Sequence, residues 1–136
     1  FGGSFIDSAY AAGSAKVREH LVNYMAENNL SRSDSAFRAY AEAYAAANNP
    51  FPTVQRVADH FDHVVKLVGI DYVGLGSDFD GVGDSLPTGL KDVSMFPNLI
   101  AELLKRGYSK EDIEKICYKN VFRVWKAVED YAASGS

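Results

Sequence analysis

Two aspartates, Asp78 and Asp80, stand one residue apart in the glycine-rich stretch "GLGSDFDGVG" (residues 74–83), directly after the apolar run "IDYVGL". Carboxylates so placed can hold calcium, act as an acid or base at a strand end, or shape a polar turn. Calcium fails on spacing. An EF-hand-type loop starting at Asp78 puts Asp80 and Gly83 at its third and sixth positions, as required. Its fifth position, however, is Val82 and its twelfth, where a bidentate Glu belongs, is Gly89. The loop also follows a strand-like run, not a helix. If 72–76 is a strand, side chains alternate, so Gly74, Gly76 and Asp78 share one face while Val73, Leu75 and Ser77 share the other. With helices on the Val73/Leu75 face, Asp78 points away from them at the carboxyl end of the strand, where α/β barrels build their chemistry. Asp80 lies beyond the strand, where an aspartate commonly accepts backbone N–H bonds and shapes a turn. On these residues alone, a catalytic Asp78 and a purely turn-forming pair are equally consistent.

The remaining reactive side chains read more plainly. His60 and His63, in "DHFDH", lie one helical turn apart and could share a zinc ion, yet no third ligand stands beside them. Half-buried imidazoles bonded to Asp59, Asp62 or backbone are the simpler expectation. His20 falls on the surface or rim of an amphipathic helix. Cys117, the single cysteine, has no base near it in sequence and reads as a small core residue.

The elements that must position these residues are mostly helical. "AKVREHLVNYMAE" (15–27) aligns Val17, Leu21, Val22 and Met25 on one face. "SDSAFRAYAEAYAAANNP" (33–50) has Ser33 or Asp34 as cap and stops at Asn49-Pro50. Thr53 precedes "VQRVADHFDHVVKLVG", with Val57, Phe61, Val64, Val65 and Val68 as an apolar stripe and Gly69 as stop. "FPNLIAELLKRG" (96–107) ends at Gly107, and Ser109-x-x-Asp112 is a capping box opening "SKEDIEKICYKN". In "VFRVWKAVEDYA", Val121, Val124, Trp125 and Val128 form the expected buried side. The sole strand signal is "YVGLG" (72–76), apolar on both faces like a buried parallel strand. A parallel strand needs neighbours, and the chain offers at most one more fragment, around Phe1 to Ile6. The sequence therefore reads as the last part of a larger sheet or barrel.

Composition sets the outer limits. The 136 residues are 47% hydrophobic and 24% charged with a net charge of −4 and no basic stretch, which argues against nucleic acid or an anionic membrane as partner. No apolar run approaches the ~18 residues of a membrane span. The first residue is Phe1, so the expectation is a processed chain or an excerpt of a longer one.

The stretches "VADHFDHVVKLVGIDYVGLGSDFDGV", "PTGLKDVSMFPNLIAELLKRGYS" and "NVFRVWKAVE" together resemble the membrane (renal) dipeptidases, zinc-dependent dipeptide hydrolases on an amidohydrolase-type barrel. "FGGSFI" is similar to that family's segment after its seventh strand, and 8–52 looks like a longer helical insertion found in some bacterial members. The resemblance implies an α/β fold: residues 1–136 as the C-terminal part of a (β/α)8 TIM-like barrel, mostly helical, with 53–136 as its last units. It implies two zinc ions bridging a hydroxide, with Asp78 handling the proton and contacting the substrate's amino end. Phe5 matches the position of a substrate-facing tyrosine in the kidney enzyme. The family's metal ligands (a His-x-Asp, a bridging Glu and two further histidines) precede the matched part, so no residue of this chain is expected as a zinc ligand. The implied partners are a dipeptide and the N-terminal portion of the same barrel, and a homodimer is left open. The compartment is left between bacterial periplasm and cytoplasm, leaning to the periplasm. The competing reading is a non-catalytic half-barrel or helical partner-binding domain.

Overall fold

The computed structural model describes residues 6–82 and 85–135. Helices α1 (Ser8–Glu27) and α2 (Ser35–Asn48) form an antiparallel hairpin. Helix α3 (Val54–Val68) follows, then a 3-10 turn at Ile70–Tyr72, an irregular stretch, and a second 3-10 turn at Val93–Met95. Helices α4 (Phe96–Lys105) and α5 (Lys110–Glu114) come next, and a π turn at Lys115–Lys119 leads into α6 (Asn120–Ala133).

Helix α1 starts seven residues before the periodic pattern because Asp7 caps it, accepting bonds from the amides of Ala9 (2.9 Å) and Tyr10 (3.0 Å). At the same end of the hairpin, the Asn49 amide donates to the carbonyl of Tyr10 (3.1 Å) and the hydroxyl of Ser14 (2.9 Å). Gly13 makes room for this clasp, since a β-carbon there would collide with the Asn49 side chain. The interhelical seam is aromatic: Tyr24 stacks on Tyr40 at 3.7 Å and His20 on Tyr44 at 3.9 Å, with His20 Nε2 2.8 Å from the Tyr40 hydroxyl. His20 is thus a seam residue rather than a free surface one.

The core lies where α3, α4 and the π turn meet. Val57, Ala58, Phe61, Val73, Leu90, Leu99, Leu103 and Ile116 form one buried cluster. Each large side chain in it contributes on the order of 1.5–3 kcal/mol through removal from water. The expected α3 stripe is only half used: Val57 and Phe61 are buried, while Val64 and Val68 stay exposed. Gly69 ends α3 at φ +93°, and the Ser109/Asp112 capping box is present with both bonds formed. Thr53 occupies the cap position of α3 without a side-chain cap bond. The Val54 amide instead bonds the carbonyl of Thr88 (3.2 Å).

Two expectations are corrected. The strand at 72–76 does not form. Tyr72 ends a 3-10 turn, and the sole β pairing among the described residues is an isolated parallel bridge, Thr53–Thr88. A strand is defined by its neighbours, and the described residues supply none beside Val73–Gly76. The apolar side of α6 is also not buried: Val121, Val124, Trp125 and Val128 are all exposed, Trp125 by 60%. The apolar pattern alone does not bury a face, and nothing among the described residues covers this one.

Candidate active site

The segment carrying the two aspartates keeps the two-residue alternation of a strand although it has no sheet. Val73 is buried, Leu75, Ser77 and Phe79 are half-buried, and Gly74, Gly76, Asp78 and Asp80 are exposed. Val73 and Leu75 pack on the helical core. The Phe79 ring lies 5.2 Å from that of Phe96 at the start of α4. Gly74 and Gly76 therefore line the opposite, open side, and Asp78 stands at its end.

Two contacts fix the root of this segment. The buried Asn120 amide donates to the carbonyls of Ile70 and Val73, both at 2.8 Å. The Leu75 amide donates to the carbonyl of Ile116 in the π turn at 3.3 Å. Asp78 then adopts φ +54°, a left-handed conformation that aspartate tolerates, and this closes the extended run. Beyond it Gly81 has φ +78°, and the Ser85 hydroxyl donates to the carbonyl of Val82 (2.9 Å). The turn then rejoins the core through Leu86, Pro87 and Leu90, all buried.

The expected job of Asp80, holding the loop by accepting backbone N–H bonds, is not seen. Among the described residues no donor reaches its carboxylate, nor that of Asp78. Gly81 and Ser85 shape the turn, and both carboxylates are exposed. Phe5, the other expected substrate contact, lies outside the described residues.

The histidines divide as follows. His60 Nε2 lies 2.7 Å from the carbonyl of Ile6, an acceptor only, so that nitrogen carries the proton. Both His60 and His63 are exposed rather than half-buried. Of their expected partners, backbone is the one His60 meets, while Asp59 and Asp62 are taken by Arg106, whose Nη1 lies 2.9 and 2.7 Å from them. Arg106 also meets Glu102 (3.0 Å) and donates to the carbonyl of Gln55 (2.9 Å), while the Tyr108 hydroxyl donates to Asp62 (2.9 Å). Burial works against the Arg106 charge, but the three carboxylates outweigh it and raise its pKa further. Burial and the Asp62 bond push the Tyr108 phenol up to about 12. This network is a brace between α3 and α4. Cys117 is partly buried and burial raises its thiol pKa, as suits a packing residue.

Among the described residues no group of three or more His, Cys, Asp or Glu side chains could hold a metal ion. His60 and His63 do not form such a site, and the described residues do not fit zinc by themselves.

Sequence reading missed two residues that matter here, Arg106 and Asn120. Glu102 apart, which stands one turn before Arg106, their partners lie 44 to 51 positions away, beyond any local pattern. Asn120 did leave a trace, because an asparagine inside a helical run is a poor helix former and signals another task.

Residues 9–136 match the family model described as membrane dipeptidase, peptidase family M19. Dipeptidase tcpJ of Claviceps purpurea is 52% identical over 82 residues, covering 60% of this chain and 19% of that protein. Dipeptidase 3 of Homo sapiens is 43% identical over 81 residues, covering 60% of this chain and 16% of that protein. The crystal structure of the probable dipeptidase PvdM from Pseudomonas aeruginosa superimposes with a TM-score of 0.55 at 31% identity, over 82% of this chain and 32% of that one. The chain thus spans about a fifth of the length of the curated relatives it matches. Those relatives are fungal and mammalian, so they lend no support to a bacterial source. With the family model matching almost the whole sequence, the chain belongs to the membrane dipeptidase family, peptidase family M19.

Proposed function

We propose that this chain forms the part of a zinc-dependent dipeptidase that carries its proton-handling carboxylate, Asp78, on the last strand position of a (β/α)8 barrel. The observation that carries the reading is the alternation from Val73 to Asp80. The side chains facing the helices are apolar, and the opposite side is stripped to Gly74 and Gly76 with Asp78 at its end. That is the arrangement a substrate needs to approach a carboxylate along bare backbone.

In this reading Asp78 has two tasks. Its anionic oxygens hold the α-ammonium group of a dipeptide, which places the single peptide bond at a fixed distance. The same carboxylate takes a proton from the attacking water and returns it to the departing amine. Zinc enters only as a group held by residues other than the described ones, and no step is assigned to it here. The hairpin α1–α2 is the proposed insertion at 8–52, and the exposed face of α6 is the side on which the rest of the barrel docks.

The test is kinetic. In the complete enzyme with saturating zinc and one dipeptide, Asp78→Asn keeps the shape but cannot take the proton, so turnover falls roughly 10²–10⁴-fold. Asp80→Asn, with no bond to lose among the described residues, changes turnover by less than about tenfold. A dead Asp80→Asn beside an active Asp78→Asn would overturn the assignment.

A further inference from the structure

The buried Asn120 side chain is committed entirely to the segment that ends at Asp78. It is 7% exposed, and its amide nitrogen donates at 2.8 Å to the carbonyls of both Ile70 and Val73. Four residues earlier, the carbonyl of Ile116 accepts the Leu75 amide at 3.3 Å. Ile116 lies inside the π turn Lys115–Lys119. A π turn widens the helix by one residue and shifts its bonding, and such turns concentrate where a helix serves a site. Here the widened turn gives Leu75 a backbone partner on its helix side and brings Asn120 round to Val73.

We infer that Asn120, with the π turn before it, is a positioning residue for the proposed reaction: it sets the direction in which the 73–78 segment presents Asp78. The inference rests on the reading of Asp78 given above. The segment is held at its root by Val73 and Leu75 and beyond Asp78 by the Phe79 ring on Phe96, and loss of the Asn120 bonds lets the root shift. A misplacement of about 1 Å at a reacting group costs on the order of 10²-fold in rate.

Asn120→Leu keeps the branched shape and removes the donor, and Asn120→Gln keeps the amide on a longer stem. Both are measured in the complete enzyme on one dipeptide at saturating zinc, at a temperature well below unfolding. The expected result is a 10- to 100-fold fall in kcat for Asn120→Leu with KM changed less than threefold, and a smaller fall for Asn120→Gln. Hydrogen exchange is followed in the same proteins, and the amides of 73–78 should exchange at least tenfold faster in Asn120→Leu. That readout does not depend on which reaction the enzyme runs. Unchanged exchange at 73–78 overturns the positioning role itself. Faster exchange with undiminished kcat overturns instead the link from this segment to catalysis, and with it the reading of Asp78. Should Asn120→Leu fail to fold, Asn120→Gln decides: full kcat and wild-type exchange at 73–78 would count against the inference.

Discussion

Replacing Arg106 by methionine removes the guanidinium that holds three carboxylates together and keeps most of the aliphatic stem. The side chain is 21% exposed and faces Glu102 at 11%, Asp62 at 31% and Asp59 at 49% exposure. Fully exposed pairs are worth little, and charge-assisted bonds away from solvent more. Counting about 1 kcal/mol each for Glu102 and Asp62 and about 0.5 kcal/mol each for Asp59 and the Gln55 carbonyl, the loss is about 3 kcal/mol. The pH dependence has a defined sign. Burial alone would raise the Asp62 pKa, but the bonds from Arg106 and Tyr108 bring it below its ordinary value. Stabilisation from such a group is present above the unfolded pKa, about 3.9, and disappears as pH falls through the lower folded value. The gap between wild type and Arg106→Met is therefore widest near neutral pH and narrows below about pH 4. Urea unfolding of the complete protein across pH 3.5–7.5 reads it directly. An unchanged midpoint at pH 7, or a gap that widens in acid, would refute the brace.

Further outcomes are expected elsewhere in the chain. Gly13→Ala drives a β-carbon into the Asn49 side chain and should cost about 1–3 kcal/mol, visible as a lower unfolding midpoint that Asn49→Ser partly restores. His60→Gln with His63→Gln should leave the zinc content of the complete enzyme unaltered by metal analysis; loss of one equivalent would reassign them as ligands. Cys117 should react with a thiol reagent at pH 7.5 at least tenfold more slowly than a free thiol, because burial raises its pKa and restricts access.

What sequence could and could not reveal follows from the range of the interactions. The alternation before Asp78 was legible because it is local: Val73 and Leu75 are apolar, Gly74 and Gly76 bare, and the helices do cover the apolar pair. The Ser109/Asp112 box was legible for the same reason. The strand was not, since the decision between a strand and a tethered extended segment lies with neighbours, and here Ile116 and Asn120 take that place from the helical side. The apolar stripe of α6 is plain in the sequence, but its burial was not: none of the described residues covers it. The expected turn-forming bonds of Asp80 were an average habit of aspartate; among the described residues no amide donates to it, and the Ser85 hydroxyl donates to the Val82 carbonyl, a bond of the opposite sense.

The clasp at the foot of the α1–α2 hairpin has a consequence for how such a protein can diversify. Asn49 reaches Tyr10 and Ser14, so the chain entering the hairpin and the chain leaving it run side by side. Asp7 is tied to Arg56 (2.9 Å) just past the exit, which closes the gap from the other side. To the rest of the molecule the whole arm is a short link between two adjacent points. Whole helical turns could be added to or removed from its far end, around Asn28 to Ser33, with only a small change in loop-closure entropy and no strain passed to the foot. The arm is a graft with a fixed socket, free to vary in length and surface while the segment carrying Asp78 stays where it is.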